Sequence, residues 1–162
     1  MTRRLFIPSI GTVLFLSIFL PLAFLGKVLL NDTDTGIHIK AGEVILKTFS
    51  IPRYDIFSFH SPPLPWTAHE WLSEVVMALV HRVYGLTAIV VFFAFILAST
   101  YYVLFKILRT TQSNVILTAA LLALVIASST LHWLARPHIF SYLFILVYHY
   151  VLDAYQYRNK NY

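Results

Sequence analysis

From Ser9 to Leu30 the chain carries one charged side chain, Lys27. Three further stretches, 86–105, 115–135 and 139–157, are nearly as apolar. About 20 apolar residues in a row suffice for a helix to cross a hydrocarbon core. In lipid, backbone polar groups are satisfied only inside helices or closed barrels, so runs of this length point to helices. The sequence predicts an all-α, polytopic membrane protein with about four transmembrane helices. Charged residues make up 12% of the chain, about half the share usual in soluble domains. Aromatic residues reach 16%, which suits the headgroup region. The absence of Cys removes disulfides, thiolate metal sites and a Cys nucleophile. The net charge of +5 is read as helix-end Lys and Arg rather than as a nucleic-acid surface.

Charge placement orients the spans. Arg3 and Arg4 precede the first, Lys106 and Arg109 lie between the second and third, and Arg158 and Lys160 follow the fourth. Positive residues collect on the cytoplasmic side. The N-terminus is then cytoplasmic, and the loop 31–85 and the turn at Arg136 face outward. The first run is too long for a signal-peptide core and lacks a small-residue cleavage site after it, so a retained span is expected.

Two amphipathic helices are expected in the outer loop. The first covers 34–49, with Ile37, Ala41, Val44, Ile45 and Thr48 on one face. The second begins at Thr67, where Thr67-Ala68-His69-Glu70 has the form of a capping box. Its apolar stripe is Trp71, Leu72, Val75, Val76, Leu79 and Val83, with His69, Glu70, Ser73, Glu74 and His81 mainly opposite. Gly85 ends it. Such helices are expected to rest on the membrane with the apolar side down. The proline-rich stretch between them is stiff and extended.

The polar residues each admit two readings. Asp32 and Asp34 are helix caps or a general base at the membrane surface. His38, one turn after Asp34, is an interfacial side chain or a partner of that carboxylate. Arg136 on the outer face runs against the charge rule. It binds a phosphate through its planar fork or pairs with a loop carboxylate. His69-Glu70 begins like a zincin motif, but position 73 is Ser, so no such site is expected. His149 and Asp153 lie inside the fourth span near its cytoplasmic end, where snorkelling accounts for them.

Five ordered blocks carry a resemblance. They are 31–43 (NDTDTGIHIKAGE), 51–59 (IPRYDIFSF), 66–74 (WTAHEWLSE), Gly85 and 135–141 (ARPHIFS). Together they resemble the N-terminal part of bacterial multispan membrane proteins similar to GT-C glycosyltransferases. The resemblance implies sugar transfer from a polyprenyl-phosphate donor to an outer-face acceptor at a bacterial plasma membrane. It places the acidic catalytic residue at Asp34 or Asp32, and substrate contacts at His38, Arg136, His69, Glu70 and His138. It requires no cofactor, with a divalent metal optional. Partners are the bilayer, a lipid-linked sugar and a further membrane subunit. GT-C enzymes generally have many more spans, so the resemblance implies an incomplete module in these 162 residues. Thr35-Gly36-Ile37 replaces the bulky aromatics usual between the acidic pair and the His. The competing reading is a non-catalytic membrane subunit, or an inactive fragment, whose loop binds a partner.

Overall fold

The computed structural model describes residues 8–111 and 114–158, and these form five α-helices. Helix α1 (Ile10–Leu25) starts at Ser9, whose hydroxyl accepts from the Thr12 amide, and continues into a 3-10 turn, Gly26–Leu30. Helix α2 (Asp34–Thr48) follows a corner at Asn31–Thr33. Helix α3 (Trp71–Thr111) is interrupted at Tyr84 and Gly85. Helices α4 (Val115–Ser129) and α5 (His138–Arg158) complete the chain. Arg3, Arg4 and Lys160, which help set the expected orientation, lie outside the described residues.

Helix α3 is the centre of the fold, and the four other helices pack against it. Its break follows from Gly85, whose φ of 61° lies where a side chain would be strained. The break divides α3 into a loop half, 71–83, and a membrane half. The core forms mainly between α1 and that second half, from Ile18, Leu22, Leu29, Ile89, Phe93 and Leu97. Helix α4 is fastened to α3 through polar atoms. Tyr101 Oη hydrogen-bonds Ser129 Oγ and accepts from Trp133 Nε1 at 3.0 Å.

Among the described residues, three segments are long and apolar enough to cross a membrane: Ile10–Leu30, Trp71–Thr111 and Val115–His132. This is the construction of a membrane protein. The fourth expected span is present as a helix, α5, but falls outside that set. Its second half carries His149, Tyr150, Asp153, Tyr155 and Gln156, which dilute its apolar character. The third span is shorter than expected, because residues 133–137 leave the helix. The second runs on to Thr111 rather than stopping near residue 105.

The loop helices meet each other. His38 faces Glu70 and Glu74, Gly42 touches Glu74 and Ala78, and Glu43 reaches His81. Numbers rise together on both sides, so α2 and the loop half of α3 run parallel. A parallel pair needs a connection that returns the full helix length, about 22 Å for α2. Residues 49–70 are that return. Phe49, at φ 51°, ends α2, and its amide donates to Ile45. The strap folds on itself at Tyr54 and Pro65, where the Asp55 amide donates to the Leu64 carbonyl and the Trp66 amide to the Arg53 carbonyl.

Within the strap, Asp55 Oδ1 accepts from the amides of Phe57 and Ser58 at 2.8 and 3.3 Å. The Ser58 hydroxyl and these amides hold its carboxyl below the ordinary value of 3.8. A lowered folded-state pKa means that the turn gains from the carboxylate at neutral pH and loses that gain as pH falls through the lowered value. A carboxyl-carbon NMR titration of Asp55 is expected to show a midpoint under 3.8. A midpoint at or above it contradicts the turn.

The faces of the two loop helices follow the sequence expectation only in part. On α2 the buried side is Thr35, Ile39, Ala41, Gly42 and Ile45, while Ile37 is exposed. On the loop half of α3 the buried residues are Glu74, Met77 and Ala78. Trp71, Leu72, Leu79 and Val83 point outward. On α2 the expected Ala41 and Ile45 do face protein, whereas on 71–83 Glu74 turns inward beside Met77 and Ala78 and most of the expected apolar stripe turns away. An inward Glu74 with an outward apolar stripe is the arrangement lipid favours, since ionisable groups there seek the protein interior.

Candidate functional site

Three of the ordered sequence blocks converge beside the α2–α3 seam. The corner before α2 and the turn after α4 are sewn together by backbone. The Ala135 amide donates to the Leu29 carbonyl at 2.7 Å, and the Thr35 hydroxyl donates to the Ala135 carbonyl at 3.1 Å. This stitch places Arg136 over the start of α2. Its Nε bonds Asp32 Oδ2, and its Nη2 lies 2.9 Å from Asp34 Oδ2.

The two aspartates are not equivalent. Asp32 has an 8% exposed side chain, and its Oδ1 accepts from the Asp34 amide at 3.2 Å. It caps the first turn of α2 while pairing with Arg136. Asp34 is 44% exposed and lines a cavity of about 210 Å³. His38, Trp66, His69, Glu70 and Glu74 also line that cavity, with Ile37, Thr67 and Ala68.

At its inner end His38 Nδ1 stands 3.3 Å from Glu74 Oε1 and 3.7 Å from Glu70 Oε2. Glu70 comes free for this because α3 begins at Trp71, not near Thr67. Residues 67–70 stay outside the helix, and the Thr67 carbonyl accepts from the His69 amide. The expected capping box does not form, and the Glu70 carboxylate reaches across to His38. Glu74 is almost fully buried, and its Oε2 has no hydrogen-bond partner.

Of the expected site residues, Asp34, His38, His69 and Glu70 line one cavity. Asp32 and Arg136 form the ion-pair corner beside it. His138 is turned elsewhere: its Nε2 meets the His132 carbonyl at 2.9 Å, and its ring lies edge-on to Tyr142. Sequence reasoning missed Glu74 and Trp66. The signal for Glu74 was available, because Glu70 and Glu74 are four apart and share a helix face.

The cavity brings three carboxylates together, from Asp34, Glu70 and Glu74, with two imidazoles. It lies below the roughly 300–1,000 Å³ of drug-sized ligand sites, so it has room for only a small group. The positive charge nearest the corner, Arg136, is already shared between two carboxylates. Such a site is equipped to accept protons and to hold a cation. No family model, curated protein or solved structure gives a significant match to this chain.

Proposed function

We propose that the chain is the N-terminal module of a membrane glycosyltransferase that moves a sugar from a polyprenyl-phosphate donor to an outer-face acceptor. The observation that carries it is the unequal placing of the two aspartates at the corner. Asp32 is buried under Arg136, whereas Asp34, although also 2.9 Å from Arg136 Nη2, is 44% exposed on the wall of an acidic cavity. Asp34 rather than Asp32 is then the base. The acceptor hydroxyl or amine gives its proton to the Asp34 carboxylate and attacks the anomeric carbon. The new bond forms as the bond from that carbon to the phosphate oxygen breaks, and the polyprenyl phosphate leaves with the electron pair. Attack opposite the leaving group inverts the anomeric centre. The reading sets residues 31–85 on the outer face of a bacterial plasma membrane, with the apolar stripe of 71–83 toward lipid.

A second reading is favoured by two observations. Arg136 is already paired with two carboxylates, and α5 leaves Phe144, Ile145 and Tyr148 exposed. A non-catalytic membrane subunit that docks a partner helix on α5 would look the same there.

Transfer from a polyprenyl-phosphate-linked hexose panel, assayed in membranes containing the protein, separates the two. Asp34→Asn is expected to lower transfer at least about 100-fold, the scale of losing a general base, with the folded fraction unchanged. Asp32→Asn is expected to lower transfer only as far as it lowers the folded fraction. Full activity in Asp34→Asn removes the assigned base. Absence of transfer by the wild type across the panel favours the subunit reading.

A further inference from the structure

The cluster of His38, Glu70 and Glu74 has no role in the proton transfer assigned to Asp34. One donor atom from each lies within 4.8 Å of the other two. Ligands about 2.1 Å from a tetrahedral ion stand about 3.4 Å apart. The His38 distances of 3.3 and 3.7 Å bracket that spacing. The third side, Glu70 to Glu74, lies within the same 4.8 Å, and the Glu70 side chain is 34% exposed at the cavity wall.

An independent observation points to a ligand. The Glu74 side chain is 3% exposed, and its Oε2 is the one buried side-chain oxygen among the described residues without a partner. A carboxylate oxygen stripped of water and given no donor is unfavourable. The Glu74 carboxylate lines the cavity that His38 and Glu70 share, and a cation there satisfies it. The backbone leaves it little choice of position, because Gly42 packs directly on the Glu74 peptide.

We propose that His38, Glu70 and Glu74 bind one divalent transition-metal ion, with zinc the best fit to one imidazole and two carboxylates. Three protein ligands leave a coordination position open toward the cavity. The ion's role rests on the transferase reading, although its binding does not. A donor phosphate entering a cavity walled by three carboxylates meets repulsion, and Arg136 is already committed. The ion supplies the missing positive charge.

Full-length protein, purified in detergent and stripped with chelator, is titrated with zinc chloride by calorimetry. Cobalt(II) is added in parallel and followed by visible absorption. One zinc per chain is expected, with cobalt bands of tetrahedral intensity. His38→Ala and Glu74→Gln are expected to weaken zinc binding by at least the roughly 10–100-fold typical of perturbing a metal site. His60→Ala, on the exposed strap, is expected to leave it unchanged. Glu70→Gln guards against misfolding of the Glu74 variant: zinc should raise the Tm of the wild type and not of Glu70→Gln. Absence of stoichiometric binding overturns the proposal. So does wild-type affinity in His38→Ala and Glu70→Gln. Neither readout involves transfer, so failure of the Asp34 assay leaves a metal result standing, and the reverse holds.

Discussion

Gly42→Ala is expected to force α2 away from α3 and to destabilise the protein by about 3 kcal/mol or more, the upper range for overpacking. A Cβ at this position would lie 2.0 Å from the Glu74 carbonyl oxygen, 2.4 Å from its carbon and 2.9 Å from Ala78 Cβ. The first two atoms are helix backbone and cannot turn aside as a side chain can. Relief requires the two helices to separate along the seam that aligns His38 with Glu74. Loss of stability and loss of metal binding should therefore appear together. Gly36→Ala is the control, since nothing lies within 4 Å of the position its Cβ would take. Thermal unfolding in detergent measures both variants, and wild-type stability in Gly42→Ala contradicts the close approach.

Arg136→Ala is expected to cost about 2–3 kcal/mol. Removing one partner of a buried pair costs about 3–5 kcal/mol because the remaining charge is stranded. The guanidinium is 34% exposed, so solvent screening brings the cost below that range. Asp32, 8% exposed, is the group left stranded. Arg136→Lys should fall between, since it restores charge without the fork that serves two carboxylates. In the double variant Asp32→Asn/Arg136→Ala the loss should be smaller than the sum of the single losses, because no buried charge remains unpaired. Strict additivity in denaturant unfolding would show that the two side chains are not energetically coupled.

Much of the helical layout was legible in the sequence. Uncharged runs mark the membrane segments, Gly85 marks the break in α3, and prolines mark the strap between the loop helices. An Arg136 expected on the outer face, against the charge rule, demanded a partner, and the structure supplies Asp32 and Asp34. Which face of 71–83 turns inward was not legible. Periodicity divides 71–83 into a stripe of Trp71, Leu72, Leu79 and Val83 and a polar side with Glu70 and Glu74. It does not say which side meets protein. In water the stripe would be buried, whereas against lipid Glu74 goes inside. The start of α3 was misjudged for a related reason. Thr67 and Glu70 have capping spacing, but Glu70 is drawn to His38 on a different helix, and local pattern carries no information about that contact. His138 follows Arg136 closely in sequence, yet the first turn of α5 sends it toward His132.

The proposed transferase and the proposed metal site share one claim: that the cavity between α2 and the loop half of α3 receives the sugar-phosphate end of a lipid-linked donor. The most direct test is photolabelling of the membrane-embedded protein with a diazirine-bearing polyprenyl-phosphate sugar, followed by peptide mapping. Label on Ile37, Trp66 or the 67–70 segment, competed by unlabelled donor and lost after metal removal, is the predicted result. Label confined to the exposed face of α5 near Phe144 and Tyr148, or uncompeted label spread over all helices, would contradict it.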